Sequence, residues 1–112
     1  MDYTKMSDFE INRAVAIVQG FHPDECDIAK RGSASVGVEW NEETGLATKT
    51  FDYCNNPADA WPIIAENGIG IIPYKKGLAE CWDASKGMLS GSTKDINPLR
   101  AAMIVFLIMQ EI

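Results

Sequence analysis

The stretch NPLRAAMIVFLIMQ, residues 97–110, decides the fold that this sequence can adopt. Asn97 can cap a helix, and Pro98 suits the first helical position because the N–H group that it lacks has no partner there. From Ala101 to Met109 every residue is apolar, so the helix has no face suited to water. These nine residues cannot cross a bilayer, which needs about 20. We therefore expect either a buried central helix or a helix shared between the core and a subunit interface.

The N-terminal region predicts another helix. Ser7 and Glu10 have the spacing of a capping box, in which each side chain bonds the backbone N–H group of the other residue. The apolar residues that follow recur at intervals of three and four, which is typical of one buried helix face: Ile11, Ala14, Val15 and Val18. Gly20 can end the helix, so its predicted bounds are about residues 8–19.

A helix is also predicted in the middle of the chain. Asn56 can cap it, with Pro57 in the first position and Asp59 in the third, where a carboxylate favours the helix dipole. Pro62 complicates this interpretation, because a proline inside a helix removes a hydrogen bond and clashes with the preceding turn. Either the helix bends at Pro62, or Asp59 is the true cap.

Two pairs of segments predict β-hairpins. Residues 34–40 and 46–53 alternate in side-chain character and flank a turn at 41–45. Residues 69–74 and 78–83 form the second pair, in which Pro73 indicates that its strand lies at a sheet edge or ends there. Residues 21–32 and 85–96 are predicted loops, and the second is predicted to be mobile because it is rich in Gly and Ser.

These elements follow one another in the order α-β-β-α-β-β-α. The predicted fold is α+β: a small, mostly antiparallel sheet of about four strands, made of two hairpins, with three helices packed on it. The chain has 112 residues, of which 46% are apolar and 23% charged. At this length a domain can bury a core without disulfides or a structural metal. We predict one domain over residues 1–112.

The charge of the chain indicates which partners it can bind, and its cysteines indicate the cell compartment. The chain has 10 basic and 16 acidic residues, a net charge of −6, and no cluster of Lys and Arg. Direct binding to nucleic acid draws on such clusters, so it is not expected. Three cysteines without a CxxC pair indicate free thiols in a reducing compartment. No secretory signal is recognised at the start of the chain. The predicted location is the cytoplasm, with no membrane partner.

Three groups of residues resemble catalytic or ligand sites, and each lacks a required part. His22, Asp24, Cys26 and Asp27 offer metal ligands, but no second ligand pair accompanies them as structural zinc requires. Cys54 near a helix start is a candidate nucleophile, yet the only histidine that could activate it is His22. Residues 91–94 (GSTK) have the residues of a phosphate loop in the wrong order. We predict no catalytic residues, no metal ligands and no cofactor.

The junction CNNPADAW, residues 54–61, is the candidate binding site. It combines two amides, a carboxylate, a thiol and an indole in a short turn, which suits a small anion, a polar ligand or a peptide. The candidate residues are Cys54, Asn55, Asn56, Asp59 and Trp61. The alternative is that the same residues cap a short helix and anchor it to the sheet. We favour this structural alternative, because each residue has a ready role in starting the helix.

Three stretches of the sequence resemble a known family: MDYTKMSDFEINRAVA (residues 1–16), CNNPADAWPII (54–64) and NPLRAAMIVFLIMQE (97–111). They are similar to the NinX-like phage proteins, small proteins of lambda-like phages and enterobacterial prophages. The resemblance implies a phage or prophage gene that is expressed inside the bacterium. It implies no activity, and no catalytic or binding residues are carried over from it.

The leading hypothesis is a non-enzymatic phage accessory protein that binds a protein of the host or of the phage. A homodimer is one form of this hypothesis, with Ile104, Leu107 and Ile108 at the interface, because the last helix is too apolar for burial on one side. The alternative is a binding or catalytic site for a small polar ligand at the Cys54–Trp61 junction. Enzymatic activity stays open, although the missing catalytic set favours a protein without it.

Overall fold

Helix α3, Pro98–Gln110, is the central element of the structure, a computed structural model that describes residues 2–73, 79–83 and 93–111. Every side chain from Ala101 to Leu107 is at most 3% exposed. Around it pack the other two helices, α1 (Asp8–Val18) and α2 (Pro57–Asn67), and three strands, β4 (Ile69–Pro73), β5 (Ala79–Asp83) and β6 (Thr93–Asp95). The apolar stretch is thus a buried central helix, the first of the two predicted alternatives.

The strands among the described residues form two antiparallel sheets of three strands each. The first has the order β1 (Asp27–Ile28), β2 (Val36–Trp40) and β3 (Ala47–Phe51), and helix α1 packs on β2. The second has the order β4-β5-β6. The α+β class and both predicted hairpins are confirmed. Strand β4, which ends in Pro73, is an edge strand of its sheet as predicted.

The prediction of about four strands was too low, because two short strands lie inside the predicted loops. Strand β1 pairs with β2 from within residues 21–32, and β6 pairs with β5 from within residues 85–96. They have only two and three residues, too few for an alternating pattern to be visible in the sequence. The mobile loop predicted at 85–96 is therefore wrong at residues 93–95, and residues 85–92 lie outside the described part.

The predicted caps of the helices are confirmed. The Ser7 hydroxyl accepts a hydrogen bond from the Glu10 N–H at 3.1 Å, and the Glu10 carboxylate accepts one from the Ser7 N–H at 3.1 Å. Asn56 caps α2 by accepting from the Ala58 N–H at 3.0 Å. Asp59 is therefore not the cap, and Pro62 lies inside the helix.

Strand β2 approaches its neighbours closely at Gly37. A Cβ atom at this position would lie 2.7 Å from the Ala47 Cβ, 3.0 Å from the Trp40 ring and 3.2 Å from the Ala29 Cα. Two of these atoms belong to strand β3 and to the segment after β1, so a side chain would push both neighbours of β2 away. The first sheet therefore requires a glycine at residue 37 for reasons of space.

We expect Gly37→Ala to lower the free energy of unfolding by about 1–3 kcal/mol, because the added methyl group overpacks the sheet. Urea denaturation followed by circular dichroism measures the change. The double variant Gly37→Ala/Ala47→Gly removes the closest clashing atom, so it should recover part of the loss. An unchanged urea midpoint for Gly37→Ala would contradict the close packing.

Candidate functional site

The candidate junction joins the end of β3 to the start of α2, and most of its polar atoms bond within the protein. Asn56 is used as the cap of α2, and the Asp59 carboxylate accepts from the Asp52 N–H at 2.9 Å. The backbone carbonyl of Asp52 accepts from the N–H groups of Asn55 and Asn56 at 3.1 and 2.8 Å. The junction is thus a closed turn that starts the helix, which agrees with the structural alternative.

The Asn55 side chain connects this turn to two other helices. Its amide nitrogen lies 3.2 Å from an Asp8 oxygen in the first turn of α1, and 3.0 and 3.2 Å from the two Asp52 carboxylate oxygens. Its amide oxygen accepts from Asn97, the cap of α3, at 3.0 Å. Asn55 therefore lies where the N-terminal ends of α1, α2 and α3 meet.

Asn12 supplies the buried part of the same arrangement. It lies on the apolar face of α1 and is 0% exposed. Its amide nitrogen donates to the Ala34 carbonyl and to the Asp52 carboxylate, both at 2.9 Å, and its amide oxygen accepts from the Cys54 N–H at 3.0 Å. Because both ends of the amide are bonded, the polar side chain can be buried without an unsatisfied group.

Arg100 provides the positive charge that holds the carboxylates together. Its guanidinium is 13% exposed and donates to Asp8 at 2.7 Å and to Asp95 at 3.0 Å. It also donates to the backbone carbonyls of Met6 and Thr4 at 2.7 and 3.2 Å. We call the connected side chains the Arg100 network: Asp8, Asn12, Asp52, Asn55, Asp95, Asn97 and Arg100.

The buried polar atoms of the Arg100 network are all bonded within the protein. Among the described residues, every buried side-chain nitrogen and oxygen has a hydrogen-bond partner. The same residues enclose no pocket that could hold a small molecule. The network therefore connects the N-terminal ends of three helices, and its member Asn97 accepts from the first N–H groups of α3.

The structure does not give Cys54 the surroundings of a nucleophile. Burial, together with the nearby carboxylate of Asp8, raises the pKa of the Cys54 thiol to about 12. Its sulfur lies 3.8 Å from the Asp8 carbonyl. His22 is exposed and accepts from the Asp24 N–H at 3.1 Å, so neither side chain has the other as a hydrogen-bond partner.

The structure separates the side chains of the His22 cluster by their exposure. Cys26 is buried and its sulfur contacts the His22 carbonyl at 3.4 Å, while the side chains of His22 and Asp24 are 71% and 93% exposed. Within residues 2–73, 79–83 and 93–111, no three metal-ligating side chains come together. In the same ranges, no helix is both long and apolar enough for a transmembrane segment.

The predicted interface residues of α3 are covered by their own chain. Ile104 and Leu107 are 1% and 3% exposed, and Ile108 is partly buried against the core. Ile104 and Leu107 therefore offer no surface to a partner. A homodimer stays a prediction, and it requires another surface.

Trp61 is the one large apolar residue of the junction, and it is 62% exposed. Successive helix residues are turned by about 100°, so Trp61 lies on an exposed arc of roughly 140° that runs from Pro57 to Pro62. The other exposed residues on this arc are Pro57, Ala58, Pro62 and Ala65. We call these five residues the outer face of α2. It carries no charge, and it lies opposite the buried Ile63 and beside the buried Ile64.

Sequence reasoning missed Asn12 and Arg100 because neither carries a local signal. Asn12 is one polar residue within an apolar helical pattern, which is common in helices. Arg100 lies in the first turn of a helix, a position where an arginine is commonly exposed. Their partners are up to 96 residues away in the chain. Their spacing from the candidate junction could not indicate a contact.

The comparisons with known proteins gave one family and no individual relative. The family model described as Bacteriophage P22, NinX matches residues 2–110. A search of curated proteins and a search of solved structures each found no match. The matched range contains the whole Arg100 network and the outer face of α2.

We expect Arg100→Met to lower the free energy of unfolding by about 3 kcal/mol, because Asp8 and Asp95 lose their shared cation in a largely buried setting. Lys49→Met is the matched control, since Lys49 also pairs with a carboxylate at 2.7 Å but is exposed. That exposed pair should contribute less than about 1 kcal/mol. Urea denaturation measures both changes. An equal loss of unfolding free energy in the two variants would contradict the stabilising role of the Arg100 ion pairs.

We expect Cys54 to resist alkylation by iodoacetamide at pH 8, because a thiol with a pKa of about 12 is protonated there and is also buried. Mass spectrometry of peptides after labelling measures the modified fraction. In urea the same residue should react quickly, which provides the control. Fast labelling of Cys54 in the folded protein would restore it as a candidate nucleophile.

Proposed function

The chain belongs to the family described as Bacteriophage P22, NinX, as its sequence motifs predicted, and we propose that it works by binding another protein. The proposed partner is a protein of the phage or of its bacterial host, met in the cytoplasm of the infected cell. The proposed contact surface is the outer face of α2. No chemical step is assigned to the chain.

The observation that carries this proposal is the exposure of Trp61 on a helix that is fixed at both ends. Asn56 and Pro57 start α2, and Gly68 ends it in the left-handed conformation, with φ of 64°. The opposite side of the helix is anchored in the core by Ile63 and Ile64. A tryptophan side chain has two rotatable bonds and so loses little conformational entropy on binding, and tryptophan is enriched among residues that dominate protein interfaces.

The small-ligand alternative has less support, because the groups that would bind a ligand are engaged. The amides of Asn55 and Asn56 and the carboxylate of Asp59 all bond within the protein. Cys54 is buried. Asn55, Asn56 and Trp61 are exposed, but of these only Trp61 is free of such bonds within the described part of the chain, and an indole suits a protein surface better than a small anion.

We expect the tagged protein, expressed in infected host cells, to retain a stoichiometric partner that Trp61→Ala loses. Truncating a central tryptophan typically weakens an interface at least about thirtyfold. Leu46→Ala is the matched control, because Leu46 is also apolar and is 64% exposed, in the turn between β2 and β3. The captured proteins are identified by mass spectrometry.

Two results would contradict the proposal. One is a partner that Trp61→Ala and Leu46→Ala retain equally, which would place the contact on another surface. The other is no partner at all from a bait whose circular dichroism spectrum shows that it is folded. The second result would favour the ligand alternative, which screening of metabolites by thermal shift then tests.

A further inference from the structure

We propose that Asn67 is a site of spontaneous deamidation, and that its modification loosens the joint between α2 and β4. Asn67 is the last residue of α2, and β4 begins at Ile69, so Gly68 alone connects the two elements. The proposal concerns a chemical change of the chain itself. It does not depend on the partner proposed for the outer face of α2.

Deamidation of an asparagine requires a backbone nitrogen that can reach its side chain. The nitrogen of the following residue bonds to the side-chain carbonyl carbon, while the bond from that carbon to the amide nitrogen breaks. The amide nitrogen leaves as ammonia and carries away the proton that the backbone nitrogen loses. Water then opens the resulting succinimide ring and gives aspartate or isoaspartate. No oxidation or reduction takes place, and water is the only co-reactant.

The residue after each asparagine singles out Asn67. The chain has asparagine at residues 12, 41, 55, 56, 67 and 97. Proline follows Asn56 and Asn97, and it has no N–H group to supply the attacking nitrogen. Residues with large side chains follow three of the others, and these side chains restrict the approach of the nitrogen. Only Asn67 precedes a glycine, whose backbone is free to adopt the geometry of the ring.

The structure leaves this nitrogen accessible but directs the Asn67 side chain back along the helix. Gly68 is exposed and adopts the left-handed conformation. The Asn67 amide nitrogen donates to the Ile63 carbonyl at 2.8 Å. The Gly68 N–H donates to the carbonyls of Ile64 and Ala65, and its distance of 3.4 Å to Ala65 is long for a hydrogen bond. Ring closure therefore requires the last turn of α2 to open, as helix ends do transiently.

Either product disturbs the end of α2. A carboxylate at residue 67 cannot donate to the Ile63 carbonyl, and it adds negative charge where the helix dipole is also negative. Isoaspartate adds a methylene group to the main chain of a connection that is one residue long. Ile64 and Ile69 flank this connection and are 3% and 6% exposed. A longer main chain therefore works against keeping both side chains in the core.

Incubation of the purified, folded protein at mildly alkaline pH, followed by peptide mass spectrometry, tests the site. We expect aspartate and isoaspartate to accumulate at Asn67 faster than at any other asparagine. In urea the reaction at Asn67 should be at least about tenfold faster, because the unfolded chain needs no opening of α2. Asn41 is the internal control, because its side chain is also hydrogen-bonded but it precedes Glu42.

Hydrogen–deuterium exchange measures the consequence for the joint. The modified protein carries an extra negative charge, so ion-exchange chromatography separates it from the unmodified protein. Backbone N–H groups in the last turn of α2 and at the start of β4 should exchange at least about twofold faster after modification. Those of α1 should keep their rates. Asn67→Asp should reproduce the effect of the charge, and Asn67→Gln, which forms the ring poorly, should stay unmodified during the same incubation.

Faster modification of another asparagine, or none at Asn67 in the folded protein, would overturn the site. A rate at Asn67 that urea leaves unchanged would overturn the opening of α2 as the step that limits the reaction. Equal exchange rates before and after modification would overturn the loosening of the joint. All of these measurements use purified protein alone, so no outcome bears on the capture of a partner through Trp61.

Discussion

Arg100 binds two carboxylates and two backbone carbonyls, and three of these four acceptors come from the first eight residues of the chain. This contact holds the first turn of α1 against the first turn of α3 and adds to the burial of Ile11 and Val15 in positioning α1. The same contact fixes Asp8, which receives the amide of Asn55 and so sets the start of α2. One guanidinium group thus contributes to the relative placement of all three described helices.

The polar and apolar residues of α3 have different roles in positioning the helix. A helix that is apolar on every face can pack in several orientations with nearly equal hydrophobic free energy, because burial is not directional. The polar residues at its N-terminal end are directional, since hydrogen bonds require defined geometry. Asn97 and Arg100 therefore select one orientation of α3. The apolar surface of the helix does not favour one orientation over another.

Local patterns were sufficient to predict the helices and hairpins, because their causes are local. The capping box at Ser7 and the cap at Asn97 depend on residues within one turn, and the hairpins depend on adjacent segments. The short strands β1 and β6 were missed because each exists only through its partner strand. Asn97 shows both cases, since its role as a cap was predicted but its amide bond to the Cys54 carbonyl at 2.7 Å was not.

The candidate junction was found from its unusual composition, but the composition did not reveal which residues face outward. That depends on the rotation of α2 about its own axis, which is set by its contacts with the rest of the chain. Ile63 and Ile64 lie in the core, and Trp61 lies on the exposed side of the helix. The amides of Asn55 and Asn56, which looked suited to a ligand, are exposed but bond within the protein.

The position of α3 in the chain has a consequence for how the protein is made. A ribosome adds residues 98–107 after it has made α1, α2 and the strands on which α3 packs. Until then those elements lack the centre of their core, and α1 also lacks the arginine that anchors its first turn. The nascent chain therefore presents apolar surface for most of its synthesis, and chaperones that recognise such surface can bind it before the core closes.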